Sequence, residues 1–145
     1  MIISAGADHG GFELKDKLVS FLREKGITVI DNGTNSPESV DYPDFAKAVV
    51  CDILEKQADF GLLVCGSGIG ISIAANRFKG IRAALVTNAD YARLSRQHNN
   101  ANVIAFGGRF TTFEDAKSWL EIFLSTGFEG GRHERRVAKL DKLDF

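Results

Sequence analysis

The sequence predicts an α/β fold: a single domain spanning residues 1–145, with a doubly wound, five-stranded parallel sheet and helices on both faces. Three observations predict it. Short apolar runs alternate with amphipathic segments, the connections between them are short, and no Ser/Pro-rich linker or internal repeat interrupts the chain. Regular strand–helix alternation implies right-handed crossovers and a sheet covered on both faces. A chain of this length can bury roughly two thirds of its unfolded surface, which is enough for one core.

Short apolar runs provide the predicted strands. Each run is too short for a helix and is bounded by Gly, Asp or Asn, residues that favour turns. The predicted strands are residues 2–7, 27–30, 60–65, 83–86 and 103–106.

The segments between the strands have the apolar periodicity of helices. In the first, Leu14, Leu18 and Leu22 share one face, charged residues such as Lys15 take other positions, and Gly26 is a C-terminal stop. The predicted helices are residues 12–25, 43–56, 70–78, 89–98 and 112–124. The predicted arrangement is therefore Rossmann-like.

The last part of the chain, from about residue 129, is predicted to form a C-terminal helical tail. Gly130-Gly131 is a hinge, and after the run Arg132-His133-Glu134-Arg135-Arg136 the apolar residues Val137, Leu140 and Leu143 recur at helical spacing. We expect this tail to pack on a neighbouring subunit.

Composition excludes several classes of protein. The formal net charge is -1. Nucleic-acid-binding domains normally gather a basic excess on one face, so this charge argues against a nucleic-acid partner. The N-terminal apolar stretch is too short for a secretory leader or a membrane span, so we expect a cytoplasmic protein without a membrane partner. Cys51 and Cys65 have neither CxxC spacing nor a companion group of histidines, which predicts reduced thiols and no metal site.

Polar residues follow three of the predicted strands at their carboxyl ends, where open α/β sheets bind ligands. The first strand ends in Asp8-His9-Gly10-Gly11, and the fifth ends in Gly107-Gly108-Arg109. The third ends in Cys65-Gly66-Ser67-Gly68-Ile69-Gly70. We expect the functional site at these three ends.

The glycines after the third strand permit a sharp turn into the next helix and leave amides that can bind an oxyanion or a phosphate. A tight turn without a ligand has the same pattern. The segment is not a Walker loop, because no Gly-Lys-Ser/Thr follows, and Ile71 occupies the last glycine position of GxGxxG.

Cys65 precedes the predicted third helix, where amide dipoles favour a thiolate. It is therefore a candidate base or nucleophile, and the alternative is a small buried residue that closes a strand. A phosphatase loop would need an arginine six positions further on, where this chain has Ile71, so we exclude that use.

His98 lies in the polar run Arg96-Gln97-His98-Asn99-Asn100, which fits either a site or a capped helix end. Arg132 and Arg136 are four residues apart and share a helix face, where they could clamp a phosphate or pair with nearby glutamates. Arg109 is either a site residue or a solvated loop residue.

Taken together, these motifs resemble the B-type ribose-5-phosphate isomerases and their galactose-6-phosphate and allose-6-phosphate isomerase relatives. The resemblance extends from residue 3 to about residue 140. Its motifs are Asp8-His9-Gly10-Gly11, Asp41-Tyr42-Pro43, residues 65–77, residues 80–83, residues 95–99, Asn102-Val103, and Gly130-Gly131-Arg132-His133 with Arg136.

The resemblance implies an interconversion of an aldose phosphate and its ketose through a cis-enediolate, without metal or cofactor. It implies that Cys65 carries the proton between C2 and C1 and that His98 opens the sugar ring. It implies that the enediolate oxygen is bound by the backbone amides of Gly66, Ser67, Gly68, Ile69 and Gly70, and that the Ser67 hydroxyl bonds sugar oxygens. It further implies that Asp8 and Asn99 orient sugar hydroxyls. The implied phosphate ligands are His9, Arg109, Arg132 and Arg136.

The resemblance also implies a homodimer with shared active sites, in which His98 and the tail arginines serve the neighbour's pocket. A tetramer formed from two such dimers is the alternative assembly. One branch of the family uses a glutamate at the position of Ile71, so Cys65 is the base available here.

We therefore expect a ribose 5-phosphate isomerase of the pentose phosphate pathway. The alternative substrate is a six-carbon aldose phosphate, such as allose 6-phosphate or galactose 6-phosphate. The alternative class is a non-catalytic nucleotide-binding module.

Overall fold

The computed structural model describes residues 1–144, and the predicted fold class is confirmed. The strands are β1 (Ile2–Ala7), β2 (Thr28–Asp31), β3 (Phe60–Cys65), β4 (Ala83–Leu85) and β5 (Val103–Gly107). The helices are α1 (Phe12–Glu24), α2 (Tyr42–Leu54), α3 (Ile69–Asn76), α4 (Ala89–Gln97), α5 (Phe113–Ser125) and α6 (Arg132–Asp141).

The predicted elements are all present, and their ends differ from the prediction by at most two residues. Helix α2 begins one residue earlier than predicted because Pro43 is tolerated in its first turn. It ends at Leu54, two residues earlier than predicted, and Lys56 has a positive φ of 61° that cannot continue a helix.

All strand pairs are parallel, in the order β2-β1-β3-β5-β4. From β1 the chain moves to one side to form β2 and then to the other side to form β3. The carboxyl ends of β1 and β3 therefore flank the topological switch point, the usual ligand crevice of such sheets. Ala7 lies opposite Val64 in the register, so Asp8 and Cys65 follow side by side.

The two faces of the sheet carry separate apolar clusters, as the side-chain alternation of buried strands requires. In β3, Leu62 and Val64 pack in the cluster that contains residues of α1 and α5. Leu63 and Cys65 pack in the opposite cluster, with residues of α2 and α3. The predicted coverage of both faces is therefore correct.

A buried lysine anchors the segment that leads into α2. The Lys15 side chain is fully buried, and its Nζ lies 2.7 Å from Asp31 Oδ1 and 2.9 Å from Asn35 Oδ1. These contacts compensate the buried charge and tie α1 to the 31–35 segment. That segment leads to Val40 and Tyr42, which lie beside the site described below.

The tail helix α6 packs against its own chain. His133 and Val137 are buried, and Arg82 Nη1 donates to Asp141 Oδ1 at 2.7 Å. Leu140 and Leu143 are 47% and 72% exposed, so the expectation that the tail also contacts a neighbouring subunit stays a prediction. Among residues 1–144, no helix combines the length and apolar character needed to cross a membrane.

Candidate active site

The turn after β1 forms one side of the crevice. The Asp8 amide donates to the Val64 carbonyl at 3.2 Å, which joins the ends of β1 and β3. Asp8 is buried, and its Oδ1 accepts the Gly10 amide at 2.9 Å. This hydrogen bond holds the carboxylate at the carboxyl edge of the sheet, where the sequence predicted it.

Cys65 ends β3 on the other side of the crevice. Its Sγ accepts the Gly68 amide at 3.1 Å, and the residue is 4% exposed. This amide is directed at the sulfur and fixes its position at the carboxyl edge of the sheet. Gly68 caps α3 with a φ of 79°, and a Cβ there would lie 2.5 Å from Leu85 Cδ1 and 2.8 Å from the Phe106 carbonyl carbon. Only glycine fits this position without displacing the amide.

The loop hydroxyl also has an amide partner, because the Ile69 amide donates to Ser67 Oγ at 3.2 Å. Two amides of the 66–70 segment, those of Gly68 and Ile69, therefore already have acceptors, in Cys65 and Ser67. The sequence predicted that all five amides act together on a substrate oxygen, but these two amides would first have to release their present acceptors. Ser67 itself is exposed, so its hydroxyl is accessible to a ligand.

Arg109 lies across the turns that follow β1 and β3. Its amide donates to the Gly66 carbonyl at 3.0 Å, next to the Gly108 to Cys65 hydrogen bond of 2.8 Å. A Cβ at Gly66 would be 3.0 Å from Arg109 Nη1, and one at Gly10 would be 3.4 Å from Nη2. The guanidinium therefore lies over both turns, beside Gly10 and Gly66.

His9 faces the segment before α2. Its Nδ1 accepts the Val40 amide at 3.2 Å, which leaves Nε2 as the proton-bearing nitrogen of the neutral ring. A cavity of about 520 Å³ is lined by Asp8, His9 and residues 39–44. Gly10, the residue after His9, lies beside the Arg109 guanidinium, and binding of a phosphate by His9 and Arg109 stays a prediction.

Tyr42 adjoins this group, although its sequence context predicted no role for it. A Cβ at Gly70 would lie 2.7 Å from the Tyr42 Cζ, so the tyrosine ring rests on the first turn of α3. Tyr42 is 39% exposed and also lines the cavity beside Asp8 and His9. Its presence in the Asp41-Tyr42-Pro43 motif was the available signal.

The remaining predicted residues lie in a second group around the end of α4. His98, Asn99 and Arg136 line a different cavity, of about 420 Å³, together with His133, Val137 and Leu140. Arg132, in the first turn of α6, is exposed. One chain therefore divides the predicted residues between a Cys65 group and a His98 group.

Two residues without a predicted role surround His98. Its ring stacks on the ring of His133 with a centroid distance of 4.2 Å and an interplanar angle of 14°. Glu129 Oε2 lies 3.6 Å from His98 Nε2 and 3.9 Å from His133 Nε2. Burial lowers the pKa of His133 from its ordinary value of 6.5, and the charges of His98, Arg132 and Arg136 lower it further, against the raising effect of Glu129.

His98, Glu129 and His133 are also the one group, within residues 1–144, of three potential metal-ligating side chains, with ligand atoms within 4.8 Å of one another. A metal ion bound to both Nε2 atoms would have to lie in the plane of both rings. Rings stacked 14° from parallel do not allow this, and Arg132 and Arg136 oppose a cation. This arrangement fits proton transfer better than metal binding.

Comparison with known proteins identifies close relatives. The family model of the Ribose/Galactose Isomerase matches residues 3–140. Ribose-5-phosphate isomerase B of Escherichia coli (strain K12) is 46% identical over 142 residues, covering 98% of this chain and 95% of that protein.

Solved structures agree with this match. A ribose 5-phosphate isomerase of Thermotoga maritima is 56% identical, with a TM-score of 0.97 and 98% of each chain covered. Ribose-5-phosphate isomerase B of Mycoplasma genitalium, solved with bound ribulose-5-phosphate, is 40% identical, with a TM-score of 0.93, and covers 97% of this chain and 94% of that one. The match over nearly the whole chain, together with the shared fold, shows that this chain belongs to the ribose/galactose isomerase family.

Proposed function

We propose that this chain is an aldose–ketose isomerase that interconverts ribose 5-phosphate and ribulose 5-phosphate. Family membership supports the reaction class, and the relative with bound ribulose-5-phosphate supports the substrate. The observation that carries the proposal is the Cys65 thiol. It lies at the switch point of the sheet, accepts the Gly68 amide and adjoins Asp8 and Arg109.

Cys65 transfers the proton that distinguishes the two sugars. As a thiolate it removes the proton from C2 of the open-chain aldose, and the C1 carbonyl oxygen becomes the oxygen of a cis-enediolate. The resulting thiol then returns the proton to C1, while a hydroxyl proton passes from O2 to O1. The thiolate is regenerated, so each turnover needs neither a metal nor a cofactor.

Backbone amides of the 66–70 segment stabilise the enediolate oxygen, a contribution of about 3 kcal/mol for each well-placed donor. Because the amides of Gly68 and Ile69 already bond to Cys65 and Ser67, this role falls first to the amides of Gly66, Ser67 and Gly70. The Ser67 hydroxyl and the Asp8 carboxylate bind sugar oxygens.

The phosphate and the sugar ring require the second group of residues. In this proposal His98 transfers the protons of ring opening, Asn99 orients a hydroxyl, and Arg132 and Arg136 join His9 and Arg109 at the phosphate. The two groups line different cavities of one chain. We therefore propose a homodimer in which the His98 group of one subunit completes the Cys65 group of the other. A tetramer formed from two such dimers is the alternative assembly.

A six-carbon aldose phosphate is the second candidate substrate, because the matching family includes galactose isomerases. The relative kcat/KM for ribose 5-phosphate, allose 6-phosphate and galactose 6-phosphate decides between them. Both cysteines are free thiols, as expected in a reducing compartment, and we propose the cytoplasm as the location.

The test uses the two cysteines as a matched pair. Cys65→Ser is expected to abolish isomerisation of ribose 5-phosphate while phosphate-dependent binding of the sugar persists. Cys51→Ser, in α2, is the control and retains activity. A Cys65→Ser protein with the turnover of the unmodified chain would show that another group is the base.

A further inference from the structure

The residues packed around His98 suggest how its ring is held. His98 follows the last residue of α4, Glu129 belongs to the connection between α5 and α6, and His133 lies in the first turn of α6. The three side chains come from separate elements and meet through the 4.2 Å ring stack and the contacts of Glu129 with both Nε2 atoms.

The backbone fixes Glu129 relative to α4. The Glu129 amide donates to the Gln97 carbonyl at 3.0 Å, one residue before His98. The Arg96 guanidinium, which is largely buried, donates from Nε to the Thr126 carbonyl at 3.2 Å. The carboxylate is therefore attached to the same helix end as the imidazole that it faces.

The His133 side chain is 9% exposed, and its Nε2 is buried without a hydrogen-bond partner among the described residues. Burial of an unpaired polar atom costs free energy. Because the pKa of His133 is lowered, its ring stays neutral at neutral pH and can stack on His98 without charge repulsion. His133 therefore acts on His98 through the flat face of its ring and not through a hydrogen bond of Nε2.

We propose that Glu129 and His133 are positioning residues for His98: the carboxylate faces Nε2, and the His133 ring limits rotation of the imidazole. The inference rests on the proposed role of His98 in ring opening. During ring opening the anomeric hydroxyl loses its proton, the bond between C1 and the ring oxygen breaks, and the ring oxygen gains a proton. The Glu129 carboxylate stabilises positive charge on His98 during this transfer, and the stack keeps the reactive nitrogen aimed at the sugar.

The two substrates separate ring opening from isomerisation. Ribose 5-phosphate is mainly a closed furanose, whereas ribulose 5-phosphate cannot form that ring because its O5 carries the phosphate. An enzyme that cannot open the ring uses the open-chain aldose that forms spontaneously. Its forward rate then bends downward as enzyme concentration rises, because spontaneous opening becomes limiting. The initial disappearance of ribulose 5-phosphate, measured before open-chain aldose accumulates, remains proportional to enzyme.

The experiment measures both rates against enzyme concentration for the unmodified chain and for Glu129→Gln, His133→Ala and His133→Phe. We expect linear plots for the unmodified chain. For Glu129→Gln and His133→Ala we expect the plot of forward rate against enzyme concentration to bend. Its slope at high enzyme concentration should be about ten- to a hundredfold below that of the unmodified chain. His133→Phe keeps a flat ring and restores most of the slope. Glu134→Gln, on the exposed surface of α6, is the control and stays linear.

A spectroscopic measurement adds an independent readout. In Glu129→Gln the ¹⁵N chemical shifts of His98 are expected to report a changed tautomer balance, whereas a merely structural role would leave them unchanged. Linear forward plots for both Glu129→Gln and His133→Ala, together with unchanged His98 shifts, would overturn the inference.

His98→Gln is the reference that separates the two hypotheses. If its forward plot reaches a plateau while the Glu129 and His133 variants stay linear, the positioning inference alone is wrong. If His98→Gln itself stays linear, ring opening does not depend on His98, and that part of the proposed function is wrong together with the inference.

Discussion

Gly68 donates its backbone N–H to the Sγ of Cys65 at 3.1 Å, across the turn from β3 into α3. The bond depends on a backbone with a φ of 79° and on the absence of a Cβ, since nearby atoms of Leu85 and Phe106 occupy that space. The geometry of the proposed base is therefore encoded by a neighbouring glycine as well as by the cysteine.

Gly68→Ala is expected to lower both stability and turnover. The left-handed backbone costs a non-glycine residue about 1–2 kcal/mol, and the contact with the Phe106 backbone raises the loss to about 3 kcal/mol. Gly26→Ala is the matched control, with a φ of 80° and no atom within 4 Å of its Cβ. Urea unfolding should show the smaller loss for the control, and its kcat should be unchanged. Equal losses would contradict the packing argument.

Arg109→Ala is expected to weaken recognition of the phosphate. Charge-assisted hydrogen bonds contribute about 1.5–3 kcal/mol, so KM for ribose 5-phosphate should rise about ten- to a hundredfold. Inhibition by inorganic phosphate should weaken in parallel. The control is Arg93→Ala, which removes a guanidinium that pairs with Asp90 at 3.0 Å on the surface of α4. A KM unaffected by Arg109→Ala would place the phosphate elsewhere.

Mixing two variants with defects in different steps tests the shared site, at an enzyme concentration where spontaneous ring opening limits the forward rate of His98→Gln. Under this condition Cys65→Ser cannot isomerise and His98→Gln cannot open the ring, so no site of either homodimer catalyses both steps. A mixed dimer regains one site, with Cys65 from one subunit and His98 from the other, so a random mixture recovers about a quarter of the original activity. Activity should be compared before and after subunit exchange. No recovery in mixtures that contain mixed dimers would mean that each site lies within one subunit.

His133 is expected to make the protein less stable in acid. Because its folded-state pKa is lowered, the unfolded chain binds more protons once the pH approaches its ordinary value of 6.5. This contribution to stability is complete above pH 6.5 and is lost as the pH falls through the folded-state pKa. The free energy of unfolding, measured in urea at stepped pH, should fall less steeply below pH 6.5 in His133→Phe than in the unmodified chain. Identical pH profiles would contradict the prediction.

The strands and most of the Cys65 group were predictable because they depend on local patterns. Buried parallel strands are short apolar runs, and their carboxyl ends carry the polar residues. Lys15 shows where local patterns fail, because helical periodicity placed it away from the apolar face of α1 although its side chain is buried. Its burial depends on Asp31 and Asn35, which lie 16 and 20 residues away in the chain.

The residues around His98 could not be predicted from the sequence either, because they also meet through contacts between distant parts of the chain. Glu129 and His133 have no local signal for a role, and they meet His98 because α6 folds back on the end of α4. The sequence did suggest that the tail matters, through its arginines. Which side chain faces the histidine depends on tertiary packing that no spacing rule describes.

The proposed proton transfer by Cys65 can be followed most directly by deuterium incorporation. Isomerisation of ribose 5-phosphate in D₂O, observed by NMR, should place deuterium at C1 of ribulose 5-phosphate, because the thiol exchanges its proton with solvent between the two steps. Cys51→Ser should incorporate deuterium like the unmodified chain, and Cys65→Ser should show neither product nor exchange. Exchange by Cys65→Ser at the unmodified rate, or product without deuterium from the unmodified chain, would contradict the proposed mechanism.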